Sequence, residues 1–212
     1  MSLATVNQRR AMSLSVMMPL RGAWQAKASL DGTEPVTSAT ISAPGLSLTG
    51  TMRRTGPFLG RTGLSATGGR GGLGVVREAK AYRGISVRLI VEDILRESGE
   101  ILATDADSTI LGLTFLHWTR QRDRAGHQLT RLVEAVGATW RLRDAGTVWI
   151  GVDTYPTITF DHVFLHEDPA RSRLSIAPVD ARLRPGVTFL NRRVVNVTHH
   201  FTDKLRTEVE YQ

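Results

Sequence analysis

Alternation with a period of two is the feature that most restricts what this chain can fold into. Met12, Leu14, Val16 and Met18 stand at every second position, with Ser13, Ser15 and Met17 between them. After Pro19-Leu20-Arg21-Gly22 the rhythm resumes, with Trp24, Ala26, Ala28 and Leu30 set against Gln25, Lys27 and Ser29. Successive side chains of an extended chain point to opposite faces, so this spacing gathers apolar groups on one side of a sheet and would scatter them around a helix. The pair reads as a β-hairpin. Further short strands are expected at Ala39 to Ala43 and Leu46 to Met52, separated by Pro and Gly. Residues 1–84 are therefore expected to form a small antiparallel barrel or sandwich.

The pattern changes at Gly84. Val87, Ile90, Val91, Ile94 and Leu95 lie on one helical face, with Ser86 placed to cap the start and Gly99 to end the helix. A second helix is expected over Ala125 to Val136, striped by Leu129, Leu132, Val133 and Val136 and stopped by Gly137. In ATWRLRDAGTVWIG, Trp140 and Leu142 face Val148 and Ile150 across the turn Asp144-Ala145-Gly146, a second hairpin, with Trp149 out of phase and on the opposite face from Trp140. From Thr157 strands return. Ile158, Phe160 and His162 alternate with Thr157, Thr159 and Asp161. Near the end Leu205, Thr207, Val209 and Tyr211 alternate with Lys204, Arg206, Glu208 and Glu210. The expected class is α+β, mainly β. An N-terminal barrel-like domain spans 1–84, a helix-rich middle with a hairpin spans 85–156, and a β region at 157–212 completes a second barrel.

With 212 residues and 41% hydrophobic content the chain can bury a core. It has no apolar run of membrane-spanning length and no signal-peptide pattern at its start, so a soluble protein made in the cytoplasm is expected, with no membrane partner. The absence of cysteine removes disulfides, thiolate metal sites and thiol nucleophiles. The net charge is +7, and only Lys27, Lys80 and Lys204 among 27 basic residues are lysines. Arginine is enriched at protein interfaces, where lysine is depleted. The arginines are spread along the chain and aromatic residues make up 6%, a poor stacking platform for nucleic-acid bases.

Several motifs invite a chemical reading. Gly69, Gly71 and Gly74 fall on the G-x-G-x-x-G spacing of dinucleotide sites. The motif works only between a buried strand and a helix, and RTGLSAT before it and VVREAKAYRGIS after it supply neither, so a glycine-rich loop between strands is expected. His162 and His166, beside Glu167 and Asp168, have a metal-ligand spacing only on a helix; on a strand residues four apart are separated by ~13 Å. His199 and His200 point to opposite faces of a strand. Asp105, Asp107 and Thr109 alternate as in a calcium loop, yet Leu116 stands where the bidentate Glu belongs, and a capping turn is simpler. Glu92, Asp93 and Glu134 sit where solvated helix faces are expected. No hydrolase signature is present, so no catalytic, cofactor or metal residues are assigned and no enzyme is expected.

Over residues 65–212 the order GGRGGLGVVREAKAYRGISVRLIVEDILRESGE, FLHWTR, HQLTRLVEAVGATWRLRDAGTVWIGVDTYP and LRPGVTFLNRRVVNVTHHFTDKLRTEVE resembles the hub proteins of contractile-tailed phage baseplates, the Mu-type late control or hub family. The hairpin WRLRDAGTVWIG and the closing LRPGVTFLNRR to LRTEV segment carry the resemblance most specifically. It implies a structural virion protein: a homotrimer joining the sixfold tail tube to the threefold central spike, with two barrels per chain so that three chains present six and can nucleate the tube. The implied partners are the chain itself, the tube protein, the central spike protein and other baseplate proteins, with assembly in the host cytoplasm. DNA would pass through the channel without specific binding, and arginines would lie mostly at subunit and partner contacts, where they can pair with carboxylates, and not crowd the bore. Many hubs are about twice this length, which implies small or missing accessory domains. Another tail adaptor, or an oligonucleotide-binding barrel, is the alternative.

Overall fold

A computed structural model describes residues 4–33, 38–202 and 205–212, so Lys204 lies outside the described residues. The N-terminal alternation builds β1 (Thr5–Val6), β2 (Arg9–Pro19), β3 (Gln25–Asp31), β4 (Ser38–Ala43), β5 (Leu46–Phe58) and β6 (Arg61–Gly68). They pair in the order β1-β4-β5-β6-β3-β2, and β1 also pairs with β2, which closes a six-stranded antiparallel barrel. Closure removes sheet edges that would otherwise template further pairing. Leu14, Val16, Leu30, Ile41 and Leu48 fill its interior. Trp24 is also inside, and its indole lies where a Cβ on Gly50 or Gly68 would stand, 2.6 Å from ring atoms in both cases. Met12 departs from its expected inward place and is 39% exposed. The register between β2 and β3 shifts between Ala11 and Ser13, and this bulge puts Ala11 inside while turning Met12 out.

The middle of the chain holds β7 (Val76–Arg77), β8 (Lys80–Ser86), α1 (Val87–Ser98), α2 (Ser108–Gly112), β9 (Thr114–Arg120), β10 (Asp123–Arg124), α3 (Ala125–Glu134), β11 (Thr139–Leu142) and β12 (Val148–Gly151). The expected helix-rich middle is not what forms: among the described residues there are three α-helices, and strand (51%) far outweighs helix (16%, short 3-10 turns included). FLHWTR, dense in aromatic and β-branched residues, becomes β9 and pairs with β8, a ribbon the periodicity of its neighbours concealed. The expected helix ends are present. Ser86 accepts a hydrogen bond from the Leu89 N–H, and Gly99 adopts φ 72° beyond the last turn. Val87, Ile90, Val91, Ile94 and Leu95 are all buried, each contributing about 1.5–3 kcal/mol relative to exposure. The hairpin pairs Trp140 with Ile150 and Leu142 with Val148, and puts Trp149 opposite Arg141.

The last strands are β13 (Val163–Asp168), β14 (Arg173–Ala177), β15 (Thr188–Phe189), β16 (Arg192–Phe201) and β17 (Arg206–Tyr211). They extend the barrel's own sheet. One edge of β2 is shared, with Arg9 and Arg10 paired to β1 and Leu14 to Pro19 paired to β16. The order then runs β16-β17-β14-β13, with β15 on β16. Leu174, Ile176, Leu183, Phe189, Val194, Val197 and Val209 form a second core. Among the described residues the pairing of this second region ends at β13.

Candidate functional site

The shared strand makes one continuous sheet face out of two halves. Cross-strand partners line up in rows: Arg54, Ser65, Lys27, Ser15, His200 and Arg206 form one. The next row is Thr51, Thr67, Gln25, Met17, Thr198, Glu208, Ser175 and His166, crossing eight strands. Apart from Met17 these positions are polar: Ser, Thr, Gln and His are interspersed with Arg54, Lys27, Arg206 and Glu208, and among them Thr67 is buried. The alternate row, Ala66, Ala26, Val16, His199, Thr207, Ile176 and Phe164, faces inward. All of its members are buried except Phe164, at the open end, which is 52% exposed.

Charge is distributed unevenly beneath this pattern. Residues 1–68 carry seven basic residues against two acidic, so +5 of the +7 resides in the barrel segment. Beyond it most arginines are neutralised within the chain. Arg141 pairs with Asp153, Arg143 with Asp105, Arg182 with Asp180, Arg184 with Asp144, Arg173 with Glu210 and Arg192 with Glu167. The expected arginine–carboxylate contacts are thus largely internal. In contrast Arg10, Arg54 and Arg61 have no carboxylate partner among the described residues.

A hollow of about 430 Å³ lies between the barrel, the β11–β12 hairpin and the segment 182–187, and is lined by Met18, Trp24, Arg141, Arg143, Trp149 and Arg184 among others. Trp140 is buried and donates to the Thr130 hydroxyl at 2.9 Å. Trp149 lies on the other face, half-buried, with the guanidiniums of Arg141 and Arg143 at 4.5 and 4.8 Å from its ring. Its cover therefore comes from its own chain.

The glycine loop does grip an anion, one the chain itself supplies. Glu100 is 6% exposed, and its two carboxylate oxygens accept from the backbone N–H groups of Arg70 and Gly72, each at 2.9 Å. Gly69 and Gly71 take φ of 71° and 85°, the left-handed region that turns successive N–H groups toward one point. A Cβ on Gly69 would meet the Glu100 carboxylate at 2.5 Å, and one on Gly72 would meet the Ser98 carbonyl oxygen at 1.7 Å. The loop is a clasp between the barrel and the end of α1. A carboxylate just past a helix stop was the only sequence sign of it.

The remaining sequence candidates disperse. His162 bonds the Phe160 carbonyl and packs edge-on to Phe189, His166 stands exposed on β13, Glu167 accepts from Arg192, and Asp168 caps the turn at Arg171. No group of three or more His, Asp or Glu among the described residues could hold a metal ion. Asp107 caps α2 through the N–H groups of Thr109 and Ile110, and Asp105 is taken by Arg143. His199 and His200 do face opposite ways. His199 is fully buried with Nδ1 3.0 Å from the Thr207 hydroxyl, while His200 reaches Glu208. Burial first, and the Arg184 charge second, push the His199 pKa down to about 4.

Asp93 corrects an expectation. Glu92 and Glu134 are exposed, but Asp93 is 7% exposed and accepts from Lys80, Tyr82 and Arg96. Burial alone would raise its pKa; the Lys80 and Tyr82 hydrogen bonds outweigh that and hold it below the carboxylate range. Tyr82 is pushed up, by burial and then by its bond to Asp93. Arg120, 3% exposed, joins the cluster through Glu97 at 2.7 Å. The network fastens the β8–β9 ribbon to α1.

No family model and no curated protein matches the sequence. Solved structures do match in fold. A protein of E. coli, c3393, described as a component of the type VI secretion system with structural similarity to the T4 bacteriophage tail proteins gp27 and gp5, is 13% identical with a TM-score of 0.71, over 97% of this chain and 75% of that one. The 43 kDa tail protein of prophage MuSo2 from Shewanella oneidensis is 9% identical with a TM-score of 0.69, over 99% of this chain and 97% of that one. A tail protein from Neisseria meningitidis is 13% identical with a TM-score of 0.65, over 98% and 94%. At these identities the likeness establishes a shared fold.

Proposed function

We propose that this chain is a structural, non-enzymatic component of a phage-type tail, placed in the baseplate as a homotrimeric hub between tail tube and central spike. The observation that carries the reading is the largely polar row that crosses eight strands from the barrel into the C-terminal sheet, with Met17 its one apolar member. A face in which uncharged Ser, Thr and Gln separate the cations Arg54 and Lys27, and Glu208 offsets Arg206, suits a channel through which DNA slides. The likeness in fold to tail proteins supports it. Two sheet units per chain let three chains present six to the first tube ring, so the hub would nucleate the tube.

A stop codon early in the gene of a phage that carries it should leave filled heads with neither tubes nor baseplates, and virions should hold this protein centrally in multiples of three. Normal tails in that mutant, or a peripheral location, would assign a different baseplate or adaptor role. The +5 charge of the barrel segment favours a second reading, a barrel that holds nucleic acid. Strands β2, β3 and β6 contain no Phe, Tyr or outward Trp on which bases could stack, so tight, steeply salt-dependent DNA binding by the purified protein is the result that would select it.

A further inference from the structure

The C-terminal sheet ends in a strand that an isolated chain leaves exposed. β13 pairs only with β14 among the described residues, so its other edge presents unpaired N–H and C=O groups. Val163, Phe164 and Leu165 are 63%, 52% and 52% exposed in succession. Such an apolar open edge is a site for adding a strand. Phe164 also ends the inward row of the sheet, and the T-shaped contacts of His162 with Phe164 and Phe189 show the second core reaching this edge without being sealed there.

A second open edge lies elsewhere on the same chain. The β8–β9 ribbon is two-stranded, with Leu116 at 74% and Leu113 at 43% exposure on or beside β9. The Val87 N–H donates to the Leu113 carbonyl, and Leu89, two residues further on in α1, is 54% exposed. The charges near each edge are mostly satisfied internally: Glu167 by Arg192 and Asp168 by Arg171 near β13, Lys80 by Asp93 and Arg88 by Glu92 near the ribbon. What is left over is one exposed carboxylate beside β13, Asp161, and one exposed guanidinium on β8, Arg83, neither with a partner among the described residues. The residual charges are opposite.

We infer that β13 of one copy of this chain docks against the β8–β9 ribbon of the next, head to tail, sealing the second sheet region across the joint. This rests on the trimeric reading above and names its contact. A two-fold pairing of β13 with itself would run antiparallel, set the two Asp161 carboxylates at opposite ends of the joint away from Arg83, and leave the ribbon uncovered. The head-to-tail arrangement covers both apolar edges with a single kind of contact and sets Asp161 near Arg83, and contacts of that kind close into a ring where the rotation between copies closes, as the trimeric reading requires.

Because the chain has no cysteine, introduced thiols report without background. Leu116→Cys and Leu165→Cys, combined in one chain and treated with a bis-maleimide whose span tolerates uncertainty in register, should give covalent species that stop at the trimer. Each single variant should stay unlinked. Phe164→Asp with Leu165→Asp should yield monomers in sedimentation while retaining the circular dichroism and melting profile of the parent, since both sites are exposed. Cross-linking of Leu165→Cys alone would show the two-fold pairing and overturn the inference. A trimer that survives the aspartates and fails to link would overturn it while leaving the hub reading intact. A parent protein that stays monomeric at high concentration would remove both.

Discussion

Acid should weaken this protein through His199. The side chain is fully buried in the inward row between Val16 of β2 and Thr207 of β17, at the join between the barrel and the C-terminal sheet. Its pKa is depressed from 6.5 to about 4, by burial first and by Arg184 second. The unfolded chain takes up the proton near pH 6.5 and the folded chain only near 4. The stability associated with the neutral ring is therefore complete above about pH 6.5, is lost as pH falls from there toward 4, and changes no further below that value. At 1.36 kcal/mol per unit, the full window corresponds to about 3 kcal/mol, a large share of the ~5–15 kcal/mol that holds a typical domain.

The measurement is urea unfolding at pH 7.5 and pH 4.5, for the parent and for His199→Phe, which keeps a flat ring and removes the titration. The parent should lose about 2–3 kcal/mol more than the variant on acidification. At pH 7.5 the variant should lie within about 1–2 kcal/mol of the parent, the worth of the bond to Thr207. Taking the difference removes the contribution of His200 and of the carboxylates. Asp180, held low by Arg182, acts only as pH falls below the carboxylate range. Equal losses in the two proteins would refute the argument, since a ring that protonates freely while folded cannot be sealed in the joint.

Glu100→Ala should destabilise the chain by about 1–3 kcal/mol, leaving two part-buried N–H donors without their carboxylate acceptor, and Glu100→Gln by less; an unchanged urea midpoint for the alanine variant would contradict the clasp. Titration calorimetry should detect no NAD or FAD binding, because Glu100 already occupies the loop's N–H groups; micromolar binding abolished by Gly71→Val would show otherwise. Asp93→Asn should loosen the β8–β9 ribbon by about 2–4 kcal/mol, read as faster amide exchange in Lys80–Ser86 and Thr114–Arg120, whereas exchange unchanged from the parent would mean that the buried network does not fasten it. Trp149→Ala should cost about 1–2 kcal/mol through its two stacked guanidiniums, and full quenching of Trp149 by iodide in the assembled particle would contradict its cover by Arg141 and Arg143.

What could be read from the sequence was local. Ser86, Gly99, the stripe of α1 and the phase of Trp140 against Trp149 follow from spacing over a few residues, and each is present in the fold. The joins were not legible, because they connect segments far apart in the chain. Nothing in residues 14–19 announces that one of their edges belongs to β16, and that pairing makes one sheet from two regions. Asp93 read as a solvated carboxylate and Glu100 drew no expectation, because their partners, Lys80 with Tyr82 and the Arg70–Gly72 backbone, come from other elements. Met12 shows the limit of periodicity itself: one bulged residue reverses the face of its neighbour.

The polar face bears on how a hub could let DNA pass. Neighbouring strands stand ~4.8 Å apart, so Arg54 on β5 and Lys27 on β3, with β6 between them, are ~10 Å apart, about one Debye length at 0.1 M salt. Further along the same row Arg206 and His200 both lie close to Glu208, at 3.4 and 3.3 Å, which leaves the wall nearly neutral there. Each phosphate contact adds about 0.9 to the slope of log affinity against log salt, and a tightly held duplex needs ~6–10 of them. A row that offers two unpaired cations and then a compensated stretch is well short of that for any one register of the DNA. Dispersed cations of this kind wet the wall and attract a polyanion weakly, while equivalent positions along the path let it move on. Replacing Ser15, Ser65 and Thr198, all in the two outward rows, with arginine would add three unpaired cations to one chain and nine to a trimer. The purified variant should then acquire DNA binding that weakens about 3-fold or more with each doubling of salt, and the phage should eject its genome more slowly. A variant that neither binds DNA nor slows ejection would mean that this face does not line the path.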